Sequence, residues 1–147
     1  MGLDQIYTEI LMEHNTSGKN KHHIDAPTQV LKGVNPSCGD EIALELRVKN
    51  GVVEDASFTG VGCAISQAST SIMIDLIRGK TVEEAQKLVR TFLGMIKHEI
   101  TDEKELEPLD EALALQNISN MPARVKCAVL GWHTLEEALE PPAVQGK

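Results

Sequence analysis

Apolar and polar residues alternate along residues 41–49, a pattern that predicts a β-strand with one buried and one wet face. The dipeptide Asn50-Gly51 follows, which is typical of a two-residue hairpin turn because both positions must accept positive φ. Residues 52–59 then predict the returning strand, and residues 26–34 predict a further short strand. A sheet of three antiparallel strands with one polar face needs helices to cover its other face.

Apolar residues recur with a helical period in four other stretches, residues 3–11, 65–76, 82–96 and 125–139. A short helix is also expected at 109–116. We therefore predict an α+β fold, in which a small three-stranded antiparallel sheet is packed with about five helices. Local signals mark the helix ends: Gly79 fits a C-terminal cap, Thr81 and Glu84 form a capping box, and Pro122 suits a first turn.

Neither an internal repeat nor a linker divides the chain, so we predict one domain over residues 1–147. Pro141-Pro142 ends the last helix, and residues 141–147 are expected to form a disordered tail.

Charge narrows the range of partners. The 14 basic and 22 acidic residues leave a net charge of −8, which argues against nucleic acid and against an anionic membrane surface. No apolar run is long enough to span a bilayer, and the acidic N-terminal segment does not resemble a signal peptide. We expect a cytoplasmic protein. Seven acids fall within residues 99–111, which indicates a solvated loop or insertion, with a docking patch as the less favoured interpretation.

The three cysteines are the candidate functional residues. Disulfides are rare inside cells, so the thiols are expected to be either functional or buried. Cys38 and Asp40 lie two residues apart at the start of a strand, so both can face one ion, although a simple turn would look the same. Cys63 lies near a predicted helix start, where the dipole stabilises a thiolate, although a buried packing cysteine is the simpler interpretation. These local patterns leave both alternatives open.

Cys127 does not fit a packing role. At 100° per residue it points about 120° away from the apolar stripe of its helix, which leaves a boundary cysteine and a functional thiol as equal alternatives. Arg124 and Lys126 come just before it. Both cations favour a thiolate. Histidines are the competing ligand class, but their spacing supports none of them: His14, His22, His23, His98 and His133.

Three ordered motifs carry a family resemblance: Asn-Pro-Ser-Cys-Gly-Asp at 35–40, Gly-Val-Gly-Cys-Ala-Ile-Ser at 60–66, and Pro-Ala-Arg-Val-Lys-Cys at 122–127. The chain resembles the NifU-N/IscU family of iron–sulfur cluster assembly proteins over nearly its whole length. The resemblance implies that metal ligands are supplied by Cys38, Asp40, Cys63 and Cys127.

Two departures from the IscU pattern resemble the SufU branch. Lys126 stands where IscU proteins carry a histidine, and the segment between the second and third cysteines is longer. This resemblance implies a tightly bound Zn²⁺, sulfur transfer from a SufS-type cysteine desulfurase and contact with other SUF components. The alternatives are a scaffold that holds iron or a [2Fe–2S] cluster transiently, and a structural zinc domain. For the sulfur acceptor we favour Cys38, which lies in a turn between Pro36 and Gly39, over Cys127.

Overall fold

The computed structural model describes residues 3–36 and 39–139, with backbone alone for residues 3–8. Three strands form one antiparallel sheet in the order β1-β2-β3. The strands are β1 (Gln29–Asn35), β2 (Asp40–Lys49) and β3 (Val52–Val61). This confirms the predicted sheet, with its first strand starting three residues later than expected.

The hairpin turn forms where the sequence predicts it. Asn50 and Gly51 connect β2 to β3 with φ values of 55° and 77°. Two successive positive φ values twist the turn in the sense that the flanking strands require, which is why this dipeptide favours hairpins.

In the described part of the chain, five α-helices accompany the sheet and confirm the α+β prediction. They are α1 (Leu3–Ser17), α2 (Ala64–Ile77), α3 (Val82–Ile96), α4 (Glu103–Leu106) and α5 (Pro122–Ala138). The Thr81–Glu84 capping box opens α3, and Pro122 takes the first turn of α5. None of the described helices is long and apolar enough to cross a bilayer.

The core lies between the inner face of the sheet and the helices. Alternate residues of β2, namely Ile42, Leu44 and Leu46, are buried there. Helix α5 packs against both α2 and β1, and the ring of Trp132 stacks on Phe92 of α3 with centroids 4.0 Å apart. Because α5 is held from two sides, its position relative to β1 and α2 is fixed, and the candidate site depends on that position.

The acidic segment at residues 99–111 is solvated, as its charge predicts, but from Glu103 onward it is not a loop. After α4, the chain continues in 3-10 turns over Glu107–Asn120, broken at Asp110, where φ is +47°. The acids are exposed except for Glu111, which is half-buried, while every third residue along α4 and the 3-10 turns is buried: Leu106, Leu109, Ala112, Leu115 and Ile118. The segment therefore contributes to the core. Residues 140–147, which include the predicted tail, lie outside the described residues.

A polar cluster fastens α1 to the rest of the fold. His14 is 4% exposed, and its ring contacts Ser71 Oγ at 2.7 Å and Glu111 Oε1 at 2.8 Å. Just after the helix, Lys19 Nζ lies 2.8 Å from Asp75 Oδ2. Asn20 Nδ2 donates to Asp75 Oδ1 at 3.0 Å. Ser71 and Asp75 of α2 thus hold the end of α1 and the two residues, Lys19 and Asn20, that follow it.

Replacing Asp75 should weaken this attachment in a pH-dependent way. Burial disfavours the charged carboxylate, but hydrogen bonds from Lys19 and Asn20 outweigh burial and hold the pKa of Asp75 below its ordinary value of 3.8. A lowered pKa contributes stability above about pH 4 that is lost as the pH falls through the folded pKa. Asp75→Asn should cost about 2 kcal/mol at pH 7, measured by urea unfolding.

The difference between Asp75→Asn and the parent protein should shrink as the pH falls below about 4, because the carboxyl is then protonated on unfolding and its charge no longer favours the folded state. Glu9→Gln, which neutralises an exposed acid of α1, is the matched control and should be nearly neutral at every pH. A difference that stays constant down to pH 3 would contradict the role assigned to the Asp75 charge.

Candidate metal centre

Asp40 is the buried acid of the candidate site. It is 0% exposed at the start of β2, on the same inner face as Ile42 and Leu44. Its Oδ1 accepts a hydrogen bond from the Cys63 amide at 2.8 Å. Its Oδ2 is buried, and no described residue gives it a hydrogen-bond partner. A buried carboxylate with an unpaired oxygen is costly unless a cation is bound to it.

Cys63 caps the N-terminus of α2, as its position after Gly60-Val61-Gly62 predicts. Its Sγ accepts a hydrogen bond from the Ser66 amide at 3.4 Å. Gly62 makes room for the neighbouring acid, because a Cβ there would lie 2.7 Å from Asp40 Oδ1. The helix end therefore supplies one N–H group to the thiol, and the residue before the helix supplies another to the carboxylate.

Cys127 lies in the second turn of α5 and is 0% exposed. The prediction that it points away from the main apolar stripe is compatible with this position, but the alternative of a boundary cysteine is wrong. Helix α5 packs between α2 and β1, so the side that carries Cys127 is covered as well. Its neighbours Arg124 and Lys126 are exposed.

The fold brings three of the four predicted ligands together. The ligand atoms of Asp40, Cys63 and Cys127 all lie within 4.8 Å of one another, although they come from a strand, a helix start and a helix interior. Cys38, the fourth predicted ligand, lies outside the described residues. The chain enters β2 at Asp40, two residues after it.

Asn35 lies beside Asp40, and the sequence patterns gave no hint of this beyond its place in the first motif. It is the Cα partner of Asp40 across the β1–β2 pair and is 7% exposed. Its side-chain Nδ2 is buried and has no hydrogen-bond partner among the described residues.

The histidines lie elsewhere. His23 contacts Glu45 on the outer face of the sheet, and His133 lies 3.4 Å from Glu136 on the exposed side of α5. Within the described residues, His14 is the one histidine that joins a second group of ligand-type atoms, with Asp75 and Glu111. Lys19 and Asn20 already neutralise and bind Asp75 there, so this group is the attachment of α1 rather than a cation site.

Comparison with known proteins places this arrangement in a family. Residues 6–141 match the protein family described as "NifU-like N terminal domain". The chain is 43% identical to "Iron-sulfur cluster assembly scaffold protein IscU" of Thermotoga maritima over 140 residues, covering 95% of this chain and 96% of that protein. It is 38% identical to "Zinc-dependent sulfurtransferase SufU" of Bacillus subtilis, covering 93% and 91% of the two chains.

A solved structure agrees with the same assignment. The crystal structure of a putative iron–sulfur cluster assembly scaffold protein for the SUF system from Fervidobacterium islandicum superposes with a TM-score of 0.82. That protein is 39% identical to the chain, and the match covers 95% of this chain and 100% of the other. The chain therefore belongs to the NifU-like N-terminal domain family, together with the IscU and SufU proteins of iron–sulfur cluster assembly.

Proposed function

We propose that this protein is a zinc-dependent sulfur acceptor in iron–sulfur cluster assembly, which takes sulfur from a cysteine desulfurase of the SufS type. The observation that carries the proposal is the unpaired, buried Oδ2 of Asp40 beside two cysteine sulfurs. The name of the Bacillus subtilis relative supports both the metal and the chemistry.

The donor set fits Zn²⁺. Zinc binds thiolates at about 2.3 Å and carboxylate oxygens at about 2.0–2.2 Å in a tetrahedron, so neighbouring ligand atoms lie roughly 3.5–3.8 Å apart. The described atoms already lie within 4.8 Å of one another, so closing around an ion needs a shift of about 1 Å. Cys38 would complete the four ligands with Asp40, Cys63 and Cys127. When bound, zinc supplies the positive charge that keeps the ligand sulfurs deprotonated.

Charge supports a cation at this position. Three thiolates and one carboxylate carry four negative charges, and a divalent ion leaves two of them uncompensated. The exposed cations Arg124 and Lys126, in the same turns of α5 as Cys127, reduce that excess.

Cys38 is the thiol that we assign to sulfur transfer. Its thiolate attacks the outer sulfur of the desulfurase persulfide, so that a new S–S bond forms on Cys38 and the S–S bond in the desulfurase breaks. The desulfurase cysteine leaves as a thiolate, the outer sulfur keeps its proton, and no electrons are gained or lost overall. Cys127 is buried within a helix and Cys63 caps one, so either would have to disturb a helix to reach a partner. Cys38 is followed by Gly39, whose φ of +73° belongs to a turn.

The test combines metal analysis with mapping of the persulfide. Protein purified without chelator should contain close to one zinc per chain. After reaction with desulfurase and cysteine, rapid quenching and mass spectrometry should place the added sulfur on Cys38. The control is Cys38→Ser, which keeps the other two thiols and should accept none. Less than half a zinc per chain, or sulfur mapped to Cys127, would contradict the proposal.

A second candidate function is a scaffold on which an iron–sulfur cluster is built. The names of the Thermotoga maritima and Fervidobacterium islandicum relatives favour it, as does a set of three thiols that can also bind iron. The same purified protein decides between the two functions. Metal analysis and visible absorption after anaerobic supply of Fe²⁺ and sulfide should show zinc retained and no cluster formed if the first function holds.

A further inference from the structure

Asn35 carries a polar atom that nothing in the described fold uses. Among the described residues, four have buried side-chain N or O atoms without a hydrogen-bond partner, and two of the four are Asn35 and Asp40. These two residues are directly paired across β1 and β2. A buried amide without a hydrogen-bond partner costs free energy comparable to a lost hydrogen bond. Because two such residues lie opposite each other in the sheet, we expect Asn35 to have an acceptor that the described residues do not show.

The pairing places the Asn35 side chain at the metal centre. Directly opposite residues of an antiparallel pair project to the same face of the sheet, with Cβ atoms about 4.5–5.5 Å apart. On that face the Asp40 carboxylate already reaches the Cys63 amide. The Asn35 amide therefore lies on the same side as the carboxylate and close to it.

Helix α5 brings Cys127 to the same place. At the start of β1, Gln29 Nε2 donates to the Ala138 carbonyl near the end of α5. Further along the strand, a Cβ at Gly33 would lie 2.1 Å from Thr134 Oγ1. The strand thus runs towards the beginning of the helix. Along β1, the next inward-facing residue after Gly33 is Asn35. Along α5, the turn before Thr134 is the one that begins with Cys127.

A donor and an acceptor at this centre need different partners. The carboxylate oxygen Oδ2 of Asp40 suits a cation, whereas an N–H group cannot bind a cation and needs a hydrogen-bond acceptor. With Oδ1 of Asp40 taken by the Cys63 amide and Oδ2 facing the metal, the acceptors that remain at this centre are the cysteine thiolates. Hydrogen bonds from N–H groups to charged acceptors are the strong ones, and such outer contacts tune a bound metal.

We infer that Asn35 is a positioning residue of the metal centre, whose side-chain N–H donates a hydrogen bond to a ligand thiolate once a metal has drawn the sulfurs together. The bond withdraws negative charge from a ligand set that exceeds the charge of a divalent ion by two. It thereby raises metal affinity and lowers the energy of the sulfur electrons. The inference rests on the metal centre of the proposed function.

The experiment uses Co²⁺ as the probe, because a thiolate-bound Co²⁺ ion absorbs light through sulfur-to-metal charge transfer. Asn35→Leu keeps the approximate side-chain size and removes the donor. It should shift the charge-transfer band to longer wavelength and weaken Co²⁺ and Zn²⁺ binding by about 10- to 100-fold in competition with a chromophoric chelator. Asn35→Asp, which has the same shape but an acceptor instead of a donor, should weaken binding further and serves where the leucine variant does not fold.

Asn20→Leu is the matched control. Asn20 is also a buried asparagine, 1% exposed. Its amide donates to Ser71 of α2, eight residues after Cys63 and therefore away from the metal centre. This variant should lower the melting temperature and leave the Co²⁺ band and the metal affinity unchanged.

The outcomes separate this inference from the proposed function. If the unmodified protein gives no thiolate-to-Co²⁺ band, the proposed metal centre fails. If it gives the band, and folded Asn35→Leu or Asn35→Asp shows the same band with affinity within twofold, the role of Asn35 is overturned and the metal centre stands.

Discussion

Removing the proposed zinc ion should lower the melting temperature by roughly 10 °C while leaving the protein folded. A metal that binds only the native state stabilises it by about 4 kcal/mol when the free metal is 1,000-fold above its Kd. In a domain of this size each kcal/mol is worth about 2–4 °C. The apo protein should stay folded because the core between the sheet and α5, including the Phe92–Trp132 stack, does not involve the ligands. Calorimetry before and after chelation measures the shift.

Cys63→Ser is the matched variant for this experiment. Serine keeps the hydrogen bond that caps α2, since it is a preferred N-cap residue, but it removes one thiolate. Chelation should therefore change its melting temperature much less than that of the parent protein, and Mg²⁺, which prefers oxygen ligands, should restore neither. An unchanged melting temperature in the parent after verified zinc removal would contradict the coupling of metal to folding.

The elements predicted correctly are those fixed by local chemistry. The β2–β3 hairpin follows from strict alternation and from the Asn50-Gly51 turn, and the start of α3 follows from its capping box. In each case a few adjacent residues determine the conformation. The position of Cys63 at the start of a helix was predicted for the same reason, because two glycines precede it and an apolar stripe follows it.

The regular structure of the acidic segment was not predicted, because the interpretation rested on its charge and not on the spacing of its apolar residues. Its buried residues recur at intervals of three, from Leu106 to Ile118, which is the repeat of a 3-10 helix and not that of an α-helix. Charge dominated the interpretation, although the acids occupy only the outer positions between these residues. A search for a repeat of three would have found the buried face.

The assembly of the site depends on tertiary packing that periodicity does not report. A helix with one apolar stripe predicts one covered side, whereas α5 is covered by both α2 and β1. That second contact buries Cys127 and brings it within 4.8 Å of Asp40 and Cys63. The role of Asn35 was likewise invisible, because it depends on the register Asn35↔Asp40 and on which of its atoms lack a partner.

Substituting Gly62 should disable the metal centre without unfolding the protein. A Cβ at this position would lie 2.7 Å from Asp40 Oδ1, closer than real Cβ contacts allow. Asp40 is fully buried and held by the Cys63 amide, so its carboxylate can move only by breaking that bond. Gly62→Ala should therefore weaken zinc binding by about 10- to 100-fold, as loss of an outer contact typically does. Competition with a chromophoric chelator measures the affinity, and circular dichroism monitors the fold.

Gly79→Ala separates this steric effect from the general cost of replacing a glycine. Gly79 has a φ of +87° and no atom within 4 Å of a Cβ placed there, so alanine should cost about 1 kcal/mol of stability through backbone strain. Its zinc affinity should equal that of the parent protein, because it follows the far end of α2 from Cys63. We therefore expect the Gly62 variant to lose metal binding and the Gly79 variant to lose stability. Unchanged zinc affinity in folded Gly62→Ala would show that Asp40 does not need its present position to bind the metal.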